Sequence, residues 1–95
     1  MKAIQIDEFG GPEALRYREL PDPVPGPGET LVEVARCGVN FADTHATRND
    51  YLAEQTLPLI PGVEVSGRTA DGRRVVALLP NGGYAQRVAV AEEEL

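Results

Sequence analysis

Residues 21–28 read Pro21-Asp22-Pro23-Val24-Pro25-Gly26-Pro27-Gly28, four prolines and two glycines in eight positions. Each proline withholds a main-chain donor, and each steers the residue before it into extended backbone. No helix and no central strand can cross such a segment. The chain before it is too short to bury a core of its own, so the segment reads as a rigid, extended connection between strands of one domain rather than a linker between two. Ten glycines and eight prolines in 95 residues carry the same message: many turns, short strands, little helix.

The rest of the chain fits that frame. Residues 1–6 alternate as a strand and run into a turn at Phe9-Gly10-Gly11-Pro12, and residues 15–20 alternate again. Residues 30–39 hold Leu31, Val32, Val34, Ala35, Cys37 and Val39, apolar enough on both faces to be central in a sheet. Residues 40–49 have the composition of a short helix, and Leu57-Pro58-Leu59-Ile60-Pro61-Gly62 is irregular and apolar. Asp71-Gly72 separates two strand-like runs, 63–70 and 73–79, which is a strong hairpin signal. Pro80-Asn81-Gly82-Gly83 makes another turn before a last strand over 84–90. The acidic run Glu92-Glu93-Glu94 begins a solvated helix or turn. The fold class is mainly β, a barrel or sandwich of short strands with short helical segments.

Charge removes some functions. Fifteen acidic against nine basic residues give a net charge of −6, which opposes both nucleic-acid and anionic-membrane partners. The single cysteine, Cys37, permits neither an internal disulfide nor a paired-cysteine zinc site. The opening Met1-Lys2-Ala3-Ile4 lacks the apolar run of a secretory leader, and no stretch reaches the length of a membrane span. A cytoplasmic protein is expected. Familiar catalytic motifs are missing. Gly26-Pro27-Gly28-Glu29-Thr30-Leu31 lacks the third glycine of a dinucleotide fingerprint and leads into a strand. There is no P-loop, HExxH or GxSxG. Ser66, His45 and Asp43 make a triad only on paper.

Two stretches carry more: Cys37-Gly38-Val39-Asn40-Phe41-Ala42-Asp43-Thr44-His45 and Leu59-Ile60-Pro61-Gly62-Val63-Glu64-Val65-Ser66-Gly67. With the Met-Lys-Ala-Ile start, Gly11-Pro12-Glu13-Ala14-Leu15, and Val76-Ala77-Leu78-Leu79-Pro80-Asn81-Gly82-Gly83-Tyr84-Ala85, the chain resembles the N-terminal part of medium-chain dehydrogenases/reductases. Within that superfamily it is most similar to the zinc-free, ζ-crystallin-like quinone oxidoreductases. The resemblance runs in order along nearly the whole chain and implies a GroES-like, partly open β-barrel.

Zinc-dependent alcohol dehydrogenases of the same superfamily place a cysteine where this chain has Asn40, and a Gly-His-Glu motif where it has Gly62-Val63-Glu64. Neither a neutral amide nor an alkyl group replaces thiolate or imidazole on zinc. Their proton relay begins at a hydroxyl residue matched here by Ala42, and their structural-zinc cysteines are absent. The resemblance therefore implies no zinc. Without a Lewis acid an alcohol or ketone is hard to polarise, whereas a quinone or enone accepts hydride at an electron-poor carbon and delocalises the charge to oxygen. NADPH-dependent reduction of a small-molecule quinone or enone is the implied activity.

The implied site residues each have a plainer role. Asn40 occupies the family's polar position near nicotinamide and substrate, or caps the helix after it. Asp43 orients the site from behind, or simply sits at a helix start. His45 takes the place of a relay histidine, or is an ordinary surface histidine. Tyr51, in Arg48-Asn49-Asp50-Tyr51, bonds and stacks on the quinone, or is a loop tyrosine. Glu64 is expected in a buried salt bridge, Cys37 in the core, and Gly62, Gly67, Gly82 and Gly83 at positions of unusual backbone dihedrals.

Proteins of this superfamily follow the GroES-like domain with a Rossmann cofactor domain, which binds most of the NADPH. Residues 1–95 are expected to be the truncated catalytic domain without that partner, inactive alone and able to self-associate through an exposed apolar edge. Two alternatives stay open. One is an enoyl reductase of the same superfamily. The other is a stand-alone GroES-like binding or scaffold module, although the polar loop 49–57 lacks the apolar docking tripeptide of a co-chaperonin.

Overall fold

The computed structural model describes residues 1–50 and 54–95. Strands β1 (Lys2–Gln5) and β2 (Arg16–Glu19) form an antiparallel ribbon, with a 3₁₀ turn at Pro12–Ala14 between them. After the proline segment come β3 (Glu29–Cys37), helix α1 (Phe41–Arg48), β4 (Glu64–Thr69), β5 (Arg74–Leu78) and β6 (Arg87–Ala91), closed by a 3₁₀ turn at Glu92–Glu94. These four strands make an antiparallel sheet in the order β5-β4-β3-β6. The two sheets do not close into a barrel. They are joined by the bridges Ala3↔Ala85 and Ile6↔Leu59, giving the partly open GroES-like arrangement expected from the sequence.

Period-two alternation decides which face is buried. Along β4, Val65, Gly67 and Thr69 turn inward while Glu64 and Arg68 face out. Across the hairpin Val65 pairs with Ala77, so inward residues meet inward residues. Val32 of the central strand, Val65, Ala77, Leu79 and Val90 form one core, with Val34, Val75, Val88 and Leu95 packed against it. Each valine or leucine among them contributes about 1.5–3 kcal/mol when fully buried. A second core of Ile6, Ala14, Ala46 and Leu59 seats α1 on the β1 side. The Gly10 N–H donates to the Thr47 carbonyl at 2.8 Å and ties the helix to the β1–β2 connection. Gly72 takes φ +88° at the β4–β5 turn, a value that glycine adopts without penalty.

Two expectations are corrected. Cys37 is exposed, not buried. It is the last residue of β3 and, although a register shift between Val34 and Arg36 sets it opposite the inward Val65, it lies where the strand leaves the core. Glu64 is also exposed, and no salt bridge among the described residues includes it. It is an outward residue of β4, with its side chain over Gly38, where an added Cβ would lie 1.9 Å from Glu64 Oε1. Val76 and Leu78 stand exposed on β5, an edge strand of the sheet. Among the described residues no helix is long and apolar enough to cross a membrane.

Lys2 Nζ and the Met1 ammonium each lie 2.9 Å from the Glu19 carboxylate. Lys2 first, then the ammonium, lower the Glu19 pKa from 4.5 to about 2. A depressed folded-state value adds stability above the unfolded pKa and loses it as pH falls through the folded one. Glu19→Gln is therefore expected to flatten the acid limb of stability between pH 4.5 and about 2. Urea melts across that window at low salt check it, because added salt screens an exposed pair. An unchanged acid limb would remove Glu19 as its source.

Candidate functional site

The end of β3 delivers the chain to Asn40, which caps α1 with extended backbone at φ −122° and ψ 150°. Asn40 and Asp43 take up the capping-box arrangement, in which a side chain at the third helical position reaches back to the cap. The half with full hydrogen-bond geometry is the Asn40 N–H donating to Asp43 Oδ2 at 3.0 Å. The Asp43 N–H closes on the Asn40 main-chain carbonyl at 2.9 Å. Asp43 is 4% exposed, and its Oδ2 accepts a second bond from the Tyr84 hydroxyl at 2.6 Å. Burial first, then the Asp43 carboxylate, push the Tyr84 phenol well above the ordinary tyrosine value, so it stays a donor across the physiological range.

Tyr84 reaches Asp43 because the backbone beneath it is packed tightly. The Tyr84 N–H donates to the Pro61 carbonyl at 2.9 Å, and the Gly83 N–H to the Gly62 carbonyl at 3.0 Å. Gly62 has φ +108°, and an added Cβ there would lie 2.7 Å from Tyr84 Cδ1 and 2.8 Å from Gly83 Cα. Unusual backbone dihedrals are found at Gly62 and at Gly82, with φ +104°, but not at Gly67 or Gly83, where the glycine is needed for close approach instead.

Two buried polar atoms of this cluster lack a protein partner among the described residues: Asn40 Nδ2, a donor, and Asp43 Oδ1, an acceptor. Buried polar atoms are nearly always bonded, so these are the two unsatisfied points of the cluster. A concavity of about 650 Å³ lies elsewhere, on the outer face of β4 and β5 around Cys37, Glu64, Ser66, Val76 and Leu78. It includes neither Asn40 nor Asp43.

The residues singled out in the sequence divide accordingly. Asn40 and Asp43 come together. His45 lies further along α1, its Nδ1 2.8 Å from Asp50 Oδ1 and its ring edge-on to Phe41 at 5.0 Å. Tyr51 lies outside the described residues. Tyr84 was not singled out. The signal for it is the pair Gly82-Gly83 just before it, small enough to let a loop press against Pro61-Gly62. Among the described residues no three histidine, cysteine or carboxylate side chains come together in a metal-holding group.

An open pair of antiparallel sheets, with one short helix capped where the central strand ends, defines a GroES-like domain. The chain belongs to the alcohol dehydrogenase GroES-like domain family, which matches residues 26–95. Quinone oxidoreductase of Lama guanicoe is 36% identical over 104 residues, covering 97% of this chain and 32% of that protein. The structure of the Thermus thermophilus quinone oxidoreductase, also solved with NADPH, superposes with a TM-score of 0.92 at 43% identity, over 100% of this chain and 31% of that one. The Escherichia coli quinone oxidoreductase complexed with NADPH gives a TM-score of 0.89 at 27% identity, over 99% of this chain and 32% of that one. The chain thus spans roughly a third of the length of these relatives, and the medium-chain dehydrogenase/reductase resemblance read from the sequence holds.

Proposed function

We propose that residues 1–95 form the substrate-side domain of an NADPH-dependent, zinc-independent oxidoreductase acting on small quinones or enones. A Rossmann domain outside this chain would bind most of the cofactor. The similarity to quinone oxidoreductases solved with NADPH supports this reading. The observation that carries it is the buried Asn40 Nδ2 without a protein acceptor among the described residues.

NADPH supplies the hydride when bound. Asn40 supplies a neutral hydrogen-bond donor for the carbonyl oxygen on which charge gathers as an electron-poor ring or alkene carbon is reduced. Asp43, fixed by its own two bonds, holds the Asn40 backbone in place. Asn40 and Val63 are poor zinc ligands, which favours an acceptor that delocalises charge without a metal. Tyr51 remains a candidate second contact to the quinone. His45, paired with Asp50, is left as a surface residue. The same reading puts the protein in the cytoplasm, without nucleic-acid or membrane partners. The exposed Val76 and Leu78 on β5 are where a second copy would associate.

Asn40→Ala in the intact protein is expected to lower kcat for 1,4-benzoquinone reduction by about 10²-fold, the usual cost of removing one donor from a developing oxyanion. Steady-state NADPH oxidation measures it. Wild-type activity on an enoyl thioester but not on benzoquinone would move the assignment to the enoyl reductases. Wild-type protein that neither binds NADPH nor reduces either acceptor would defeat the enzyme reading and leave the binding module.

A further inference from the structure

We propose that Tyr84 is a positioning residue for this chemistry, aiming the Asn40 carboxamide through the Asp43 carboxylate; the proposal rests on the role just given to Asn40. Tyr84 and Asp43 are 41 residues apart in the chain, yet the phenol donates to the same Oδ2 that accepts the Asn40 N–H. One oxygen therefore joins the loop before β6 to the α1 cap. The tyrosine is held from three sides. The Ile4 N–H donates to the Tyr84 carbonyl at 2.9 Å, the Tyr84 N–H donates to the Pro61 carbonyl, and Gly62 lies under the ring edge. The anchor is thus continuous with β1 and with the loop entering β4.

A carboxylate gripped on one oxygen by two donors has little rotational freedom about its side-chain bonds. Its grip on the Asn40 N–H sets the plane of the peptide from which the carboxamide projects. Removing the hydroxyl leaves Asp43 a single bond on that oxygen, so the carboxylate can turn and the cap can shift. The burial that suppresses the phenol's ionisation keeps it a donor, not a proton source. A reacting group misplaced by about 1 Å can lose as much as 10²-fold in rate, and a shift transmitted through two bonds should lose less.

Tyr84→Phe, made in the intact protein, tests this. The expected loss is about tenfold in kcat/KM for 1,4-benzoquinone, with NADPH affinity by fluorescence titration unchanged within about twofold. In an Asn40→Ala background the same change should cost nothing further, because residues acting through one another are not additive. Equal losses in both backgrounds, or no loss in either, would overturn the proposal. A second readout is independent of turnover: the Asn40 side-chain NH₂ signals, identified by their loss in Asn40→Ala, should move in Tyr84→Phe. If wild-type protein does not reduce quinone, the functional reading fails while these signals still test the positioning. Signals that stay put would end it. Should Tyr84→Phe fold poorly, Asp43→Asn, which also weakens the shared grip, is put through the same cycle and must show the same dependence on Asn40.

Discussion

Gly67→Ala is expected to destabilise the domain by about 3 kcal/mol, the upper end of what overpacking costs and a large share of what holds a protein of this size together. Gly67 is buried in β4 opposite Val34, and an added Cβ would sit 2.0 Å from the Glu33 carbonyl oxygen and 2.9 Å from its carbon. Those are main-chain atoms of the central strand, so no side chain can rotate away to make room. β3 and β4 would have to part at the point where the ladder already breaks register. Gly72→Ala provides the contrast. Gly72 has φ +88° but nothing within 4 Å of an added Cβ, so only the backbone term of about 1–2 kcal/mol applies. Urea denaturation of both variants reads the difference. If Gly67→Ala cost no more than Gly72→Ala, the close approach of β3 and β4 would not be a source of stability.

Asp43→Ala should cost about 3 kcal/mol. It strands two donors, the Tyr84 hydroxyl and the Asn40 N–H, beside a residue that is 4% exposed, and each unpaired buried donor costs roughly 1–3 kcal/mol. The helix loses its capping box as well. Asp43→Asn retains one acceptor oxygen and should cost about half as much. Thermal or urea melts of the pair give the comparison, and equal losses would mean that the remaining amide oxygen does not replace the carboxylate and that the volume removed contributes little.

Local features of this fold were legible in the sequence. Asp71-Gly72 announced the β4–β5 hairpin, the proline segment announced the break before β3, and residues 40–49 announced α1. Asp43 was readable as a helix-start carboxylate because its role is settled within the first turn after the cap. What could not be read depends on partners distant in the chain. The placing of β6 beside β3 rests on pairs such as Val32 with Val88, and alternation alone does not choose a neighbour. Cys37 is exposed because it ends β3, past the register shift at Val34/Arg36, a boundary that its apolar neighbours in the sequence do not mark. The resemblance suggests a buried pair for Glu64, whereas its place beside the inward Val65 puts it on the outer face of β4. The role of Tyr84 is not legible locally, because nothing in its neighbourhood identifies a carboxylate 41 residues earlier as its acceptor.

β6 also governs how the chain can be cut. It spans Arg87–Ala91 and pairs with Glu29–Glu33 of β3, a strand laid down much earlier in the chain. Val90 lies in the main core, Leu95 packs against it, and the Glu92 N–H donates to the Gly28 carbonyl at 2.8 Å. A cut placed before residue 87 therefore trims no tail. Loss of residues 87–95 would leave β3 with an open edge and the core short of a wall. As the chain leaves the ribosome, β3, β4 and β5 can meet early, but this sheet cannot be completed until β6 has emerged.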